Sequence, residues 1–219
     1  MGRKSGLDGS ILKNSCHAIT RDPDLLKDKP NFFGYTIHVT KDKYICVFCS
    51  AQEVKPVYLA AATSFSKLLV QNGFNLVFGG SDKGLMHDVS QTVKTGGGKL
   101  VGISIDWLQG VVRKDLDELV VTKSLGERKK TMLKRSDAFI ALPGGIGTLD
   151  ECMEIIEHKK HGHHNKPIVI LNTDSFYSGL REQLQKMYDE GFLPKPLNEL
   201  VYFADTPEDA MAYITSDIP

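Results

Sequence analysis

The sequence predicts an α/β fold in which a parallel, doubly wound sheet is flanked by helices. Short apolar segments alternate with amphipathic segments of helical period from residue 44 onward. Two glycine-rich turns, at 78–86 and 142–151, each lead from an apolar segment into a helical one. Strands that alternate with helices in this way form parallel sheets with right-handed crossovers, and their ligands bind outside the carboxyl ends of the strands.

The first half of the pattern begins with a strand–helix–strand unit. Residues 44–49 and 75–78 are predicted strands because both segments are short and apolar. The helix between them has one apolar face, formed by Tyr58, Ala61, Ala62, Phe65, Leu68 and Leu69. The elements predicted next are a helix near 84–95, a strand at 99–105, a short strand near 118–121 and a helix from Glu127.

The second half contains the glycine-rich turn at 142–151. In the predicted strand 137–142 every residue after Asp137 is apolar, which is typical of a strand buried on both faces. After the turn, an apolar stripe at helical spacing consists of Leu149, Cys152, Met153 and Ile156. The remaining predicted elements are a strand at 167–171, a helix carrying Tyr177, Leu180, Leu184, Met187 and Tyr188, a strand at 200–203 and a helix from Pro207.

Composition limits the domain organisation and the partners. Residues 1–42 lack sustained periodicity and are expected to be an N-terminal extension, mobile or draped over a single domain at 43–219. Lys and Arg number 27, as do Asp and Glu, which argues against nucleic acid or a membrane as the main partner. The four cysteines are scattered, and no secretory signal or long apolar span is recognisable, so we expect a cytoplasmic protein.

The turn at 142–151 has the chemistry of an anion site. Its glycines let the backbone approach a ligand, and the free N–H groups and dipole of the following helix attract a phosphate. Two common phosphate motifs do not fit, because Asp150 replaces the third glycine of G-x-G-x-x-G and Leu85 replaces the lysine of a triphosphate loop. Each turn alone is also compatible with a tight strand-to-helix connection.

Residues 143–151 fill every fixed position of the PGGxGTxxE motif, and the chain thereby resembles the LOG (Lonely Guy) family of cytokinin riboside 5'-monophosphate phosphoribohydrolases. The segment 127–129 with Met132, the turn at 78–86 and the segment 165–167 are similar to the family as well. The resemblance covers roughly residues 44–213. It implies a Rossmann-like fold, a homodimer and a hydrolase that needs no cofactor and no metal. Such an enzyme cleaves the N-glycosidic bond of a nucleoside 5'-monophosphate, N6-modified AMP or AMP-like, into free base and ribose 5-phosphate.

Two residues are the catalytic candidates. Cleavage of the bond develops positive charge on the ribose, and a carboxylate stabilises that charge or activates water. Glu151, expected in the first turn of its helix, is the candidate carboxylate, and the resemblance assigns a catalytic role to Arg128. Without the motif, Arg128 would be interpreted as part of a solvated basic helix face. The predicted phosphate-binding and substrate-binding residues are Gly144, Gly145, Gly147, Thr148, Lys129, Gly79, Gly80 and Met86.

Some residues on the expected ligand rim depart from the family. They are Ser50-Ala51-Gln52 after Cys49, Ser81 in place of a third glycine, and His87 in place of a small residue. The identity of the base is therefore left open, and the alternative is a non-catalytic carrier of a nucleotide or of the molybdenum cofactor. A lysine decarboxylase is not supported, since no segment resembles a pyridoxal phosphate site.

Two further clusters are given structural interpretations. Four histidines at 158–164 invite a metal site, but no acidic residue or cysteine completes a ligand spacing, and we expect a loop without metal. Cys46 and Cys49 have C-x-x-C spacing but belong to an apolar strand, so we expect them to pack rather than to do redox chemistry.

Overall fold

The computed structural model describes residues 42–218, so the extension expected at 1–42 lies, apart from Asp42, outside the described residues. Its strands are β1 Lys43–Phe48, β2 Phe74–Phe78, β3 Leu100–Ile105, β4 Glu118–Thr122, β5 Ala138–Ala141, β6 Ile168–Leu171 and β7 Tyr202–Ala204. They form a 7-stranded sheet in the order β4-β3-β2-β1-β5-β6-β7. Every pairing in this sheet is parallel. The predicted fold class is confirmed.

The helices cover both faces of the sheet. They are α1 Pro56–Gln71, α2 Gly84–Thr95, α3 Leu125–Arg135, α4 Ile146–Lys160, α5 Ser178–Asp189, α6 Leu197–Leu200 and α7 Pro207–Asp217, with 3-10 turns at Asp106–Val111 and Thr173–Ser175. One buried cluster contains residues of α1, α2 and α7, and the other contains residues of α3 to α6. None of the helices between residues 42 and 218 is long and apolar enough to cross a membrane.

The apolar runs of the sequence correspond to strands that are buried on both faces. In β1, Ile45 and Val47 belong to one cluster, whereas Cys46 and Phe48 belong to the other. Successive side chains of a strand point to opposite faces, so a strand between two helical layers needs apolar residues throughout. This explains why these segments read as continuous apolar runs rather than as alternating patterns.

Two element boundaries differ from the prediction. Helix α3 begins at Leu125 rather than Glu127, because the Ser124 side chain accepts a hydrogen bond from the Glu127 N–H at 3.2 Å and caps the helix. The segment predicted as a strand at 200–203 is divided, since Leu200 ends the short helix α6 and β7 starts at Tyr202. Pro196, at the N-cap of α6, starts that extra turn.

The sheet order creates a crevice at its carboxyl edge. The chain leaves β1 for β2 on one side, while β5 pairs with β1 on the other side. The connections after β1 and β5 lead to α1 and α4, which lie on opposite faces. Ligands of open α/β sheets bind at such a reversal of strand order. The turn between β5 and α4, at residues 142–145, therefore lies where a ligand is expected.

Candidate active site

The N-terminus of α4 presents free backbone donors at the crevice. The Leu142 N–H donates to the Phe48 carbonyl at 2.9 Å, which fixes the turn against the end of β1. Gly145 is the N-cap of α4. Within residues 42–218, no carbonyl or side chain accepts a hydrogen bond from the N–H groups of Ile146, Gly147 and Thr148. These donors and the positive end of the helix dipole are the features with which helix N-termini bind anions, so this turn is the candidate anion site.

The glycines of this turn have two different roles. A Cβ on Gly144 would lie 2.7 Å from the Thr148 Cβ, so a side chain at this position would clash within the turn. A Cβ on Gly145 or Gly147 would have no atom within 4 Å. The packing of the chain therefore requires glycine at 144, whereas the glycines at 145 and 147 leave open space outside the helix.

Glu151 and Arg128 form a buried ion pair beside this anion site. Both residues are only 7% exposed, and Arg128 Nη1 donates a hydrogen bond to Glu151 Oε1. Burial raises the pKa of Glu151, while the Arg128 guanidinium opposes the rise. Because α4 begins at Ile146, Glu151 lies in the second turn of the helix, not in the first turn as expected.

The Arg128 guanidinium connects three elements at the carboxyl edge. Its Nε donates to the Ile103 carbonyl of β3 at 2.8 Å, and its Nη1 binds Glu151 on α4. A Cβ on Gly79, directly after β2, would lie 2.5 Å from Arg128 Nη2 and 3.1 Å from the Met86 Sδ. The absent side chain of Gly79 thus makes room for the guanidinium and for Met86, and the structure brings these residues together with Glu151.

Lys129 is also buried, but its amine contacts a different set of groups. Its Nζ lies 2.9 Å from both carboxylate oxygens of Asp150 and 2.5 Å from Glu154 Oε2. The pKa of Lys129 is raised, because the hydrogen bonds that its amine donates to Glu154 and Asp150 outweigh the opposing effect of burial. Neither Arg128 nor Lys129 belongs to a solvated helix face, although Lys130 is exposed. Substrate binding by Lys129 stays a prediction.

The second glycine-rich turn is built around protein contacts. The Leu85 and Met86 N–H groups, in the first turn of α2, donate to the Gln52 and Ser50 carbonyls at 3.2 and 3.1 Å. Gly84 adopts a positive φ, and a Cβ there would lie 2.5 Å from the Ala51 carbonyl carbon. This turn therefore holds the connection after β1, and Gly79 on it lies next to the Arg128 guanidinium. A Cβ on Gly80 would instead lie 3.4 Å from the Gly102 Cα.

Two groups at the site could not be identified from the sequence. The Ile103 carbonyl positions Arg128, but any residue has a backbone carbonyl, so its residue type does not indicate this role. The Tyr177 hydroxyl donates to the Leu142 carbonyl at 2.9 Å and anchors the turn before α4. The sequence feature that could have indicated this role is the position of Tyr177 between β6, the neighbour of β5, and the helix that follows.

The histidines and cysteines have the following environments. His158 belongs to α4 rather than to a loop, and its Nδ1 lies 2.9 Å from His163 Nδ1. Across residues 42–218, no three histidine, cysteine or acidic side chains are arranged to hold a metal ion. Cys46, Cys49 and Cys152 are buried free thiols, and burial raises the pKa of each. This burial agrees with a packing role.

Comparison with known proteins gives the following matches. Residues 86–214 match a family described as "Possible lysine decarboxylase". The chain is 39% identical over 174 residues to a probable cytokinin riboside 5'-monophosphate phosphoribohydrolase of Oryza sativa subsp. japonica, covering 78% of this chain and 76% of the relative. It is 36% identical over 189 residues to a cytokinin riboside 5'-monophosphate phosphoribohydrolase of Arabidopsis thaliana, covering 85% and 88%.

Solved structures share the fold. The molybdenum cofactor binding protein of Rippkaea orientalis is 26% identical with a TM-score of 0.64, covering 82% of this chain and 99% of that one. The Moco carrier protein of Chlamydomonas reinhardtii is 22% identical with a TM-score of 0.61, covering 81% and 98%, which is a likeness of fold alone. With the sequence matches above and the motif at residues 143–151, these findings show that the chain belongs to the LOG family.

Proposed function

We propose that this protein hydrolyses the N-glycosidic bond of a nucleoside 5'-monophosphate, N6-modified AMP or AMP-like, to the free base and ribose 5-phosphate. The observation that carries the proposal is the position of the anion site and of the buried Glu151 carboxylate on consecutive turns of one helix. Gly147 and Glu151 are separated by about 6 Å along the axis of α4. A ribose 5-phosphate spans a length of this order, so one substrate can reach both positions.

Phosphate binding would fix the sugar in register with the carboxylate. The N–H groups of Gly147 and Thr148 and the Thr148 hydroxyl supply donors, and the open space outside Gly145 and Gly147 accepts the phosphate oxygens. Binding energy from a group remote from the reacting bond accelerates the reaction by holding the substrate in the reactive geometry. A nucleoside without its phosphate is therefore expected to be a poor substrate.

Glu151 would act on the far side of the sugar. Its ionised carboxylate takes a proton from a water molecule, whose oxygen forms a bond to C1' of the ribose. The electron pair of the C–N bond leaves with the base, and the proton passes to a base nitrogen. Arg128 holds Oε1, and among residues 42–218 the other oxygen, Oε2, has no hydrogen-bond partner. That free oxygen is the one available to water or to the ribose.

The names of the relatives agree with this chemistry, since they are called phosphoribohydrolases of cytokinin riboside 5'-monophosphates. From the same family resemblance we propose that the protein is a homodimer that acts in the cytoplasm without a metal or cofactor. Gel filtration with light scattering tests the oligomeric state, and a monomer at micromolar concentration would contradict the dimer.

The function is tested by incubating purified protein with AMP and with N6-isopentenyl-AMP and measuring free base by chromatography. Glu151→Gln is expected to abolish release while nucleotide binding persists. The matched control is Glu157→Gln, an exposed position on the same helix paired with Lys160, which is expected to keep full activity. Absence of base release from every nucleoside monophosphate would overturn the proposal, and a tightly held, unhydrolysed ligand would favour the carrier alternative.

A further inference from the structure

Trp107 is an exposed aromatic residue at the carboxyl edge of the sheet. It is the single tryptophan of the chain, and 70% of its surface is exposed. It follows directly on β3, in the 3-10 turn Asp106–Val111. Tryptophan has a large apolar surface that is favourable to bury, and exposed aromatic surface beside a ligand crevice marks a contact site. The described chain leaves this surface without a covering group.

The segment that carries Trp107 is fastened to the wall of the active site. The Asp82 N–H donates to the Val111 carbonyl at 2.8 Å, and the Arg113 N–H donates to the Gly80 carbonyl at 2.9 Å. The Arg113 side chain is 5% exposed and donates to Ser90 Oγ at 3.0 Å. These bonds hold the segment 106–113 against the glycine-rich turn after β2. One end of the segment is therefore fixed at residues 111–113, and its other end, next to Trp107, is fixed by its connection to β3.

A substrate whose phosphate lies at the N-terminus of α4 is expected to extend its base toward this segment. The phosphate site lies at the N-terminus of α4, after β5, and the ion pair lies beyond it in the crevice. Arg128 extends from Glu151 to the Ile103 carbonyl, two residues before the end of β3. In the sheet, β2 and β3 follow β1 on the side opposite to β5, and neighbouring strands are about 4.8 Å apart. The ends of β2 and β3 therefore lie on the side of the ion pair away from β5. The base is the part of a nucleotide that lies beyond the scissile bond.

We propose that Trp107 is a base-binding residue whose indole stacks on the purine ring of the nucleoside monophosphate. The inference rests on the proposed function and names the group that recognises the base. Aromatic stacking is tolerant of ring substituents, because every base has a π-face. Such a contact accepts a purine with or without an N6 substituent.

The single tryptophan makes the proposal directly measurable by fluorescence. Glu151→Gln protein is titrated with AMP and separately with ribose 5-phosphate, and binding of both ligands is followed by calorimetry. AMP is expected to change the emission of Trp107. Ribose 5-phosphate, which carries the phosphate and sugar but no base, is expected to bind without changing it. In the active protein, Trp107→Ala is expected to raise KM for the nucleotide about 10-fold or more with little change in kcat, and Trp107→Phe to restore most of the affinity.

Phe192→Ala is the matched control, since Phe192 is 72% exposed and follows the end of α5. Its KM is expected to equal that of the unmodified protein. If the nucleotide binds without changing the emission and Trp107→Ala keeps its KM, the inference is wrong while the function stands. Emission that responds to protein dilution but not to nucleotide would place Trp107 between copies of the chain and also overturn the inference. Absence of base release by the unmodified protein would refute the function itself, and the inference with it.

Discussion

Replacing Gly79 with alanine tests whether the position of the Arg128 guanidinium controls the reaction, because every proposed catalytic atom is kept. The new Cβ would lie 2.5 Å from Arg128 Nη2, whereas ordinary contacts begin at 3.4 Å. Arg128 is buried and bound to Ile103 and Glu151, so it cannot move away without weakening one of these bonds. A displacement of about 1 Å in a catalytic group costs about 100-fold in rate. That loss corresponds to about 2.7 kcal/mol of transition-state stabilisation.

The Gly79→Ala protein should stay folded, and its loss of stability should be smaller than its loss of transition-state stabilisation. Gly79 has no positive φ, so alanine fits the backbone, and the overpacking is expected to cost about 1 to 2 kcal/mol. The assay is kcat/KM for base release, with a thermal melt to check folding. Gly179→Ala is the control, since a Cβ on this glycine of α5 would have no atom within 4 Å.

A double-mutant cycle identifies the cause of the loss. In an Arg128→Ala background the clash with the guanidinium is absent, so Gly79→Ala is expected to change the remaining activity by less than about twofold. A role for the position of the Arg128 guanidinium is refuted if Gly79→Ala keeps full activity in a folded protein. It is also refuted if the loss is equally large in both backgrounds, since the effect would then run through Met86 or the backbone.

Three further predictions concern the carboxylate and the phosphate site. Glu151→Gln should reduce kcat by at least about 1000-fold, as measured by single-turnover release of the base. Its affinity for the nucleotide, measured by calorimetry, should stay within severalfold of that of the unmodified protein. Substantial turnover would remove Glu151 from the mechanism. Burial raises the pKa of Glu151, so the rate should fall as pH drops through a value above the ordinary 4.5. Arg128→Ala should move this limb of the pH–rate profile to higher pH, because the guanidinium lowers that pKa, and an unmoved limb would assign the limb to another group. Gly147→Ala should keep or raise Tm, since alanine is the better helix former by at most about 0.5 to 1 kcal/mol. The same substitution should raise KM about 10-fold, and an unchanged KM would place the phosphate elsewhere.

The sequence predicts the local parts of this site better than the long-range parts. The turn at 142–151 is recognisable because strand, glycines and helix are contiguous. The N–H groups at the start of α2 donate to carbonyls of the connection after β1, which is distant in the sequence. Because this contact cannot be seen in the sequence, the second glycine-rich turn resembles a second anion site there. The burial of Arg128 could have been predicted from the sequence. Arg128 lies four residues before the apolar Met132, which is buried, and the two residues therefore share one face of the helix.

The glycines of the two turns show which part of the motif serves the fold and which part serves a ligand. Gly79 and Gly144 are fixed by the chain itself, because a Cβ at either position would strike the Arg128 guanidinium or the Thr148 side chain. No contact of the described chain requires glycine at position 147, because a Cβ there would have no atom within 4 Å. Glycine within a helix nevertheless costs up to about 0.5 to 1 kcal/mol relative to alanine. The space that Gly147 leaves open beside the free N–H groups is where a bound phosphate would offset that cost under the proposed function. An anion that fills this space also brings negative charge toward Glu151, which raises its pKa further and makes the carboxylate a stronger base when substrate is bound.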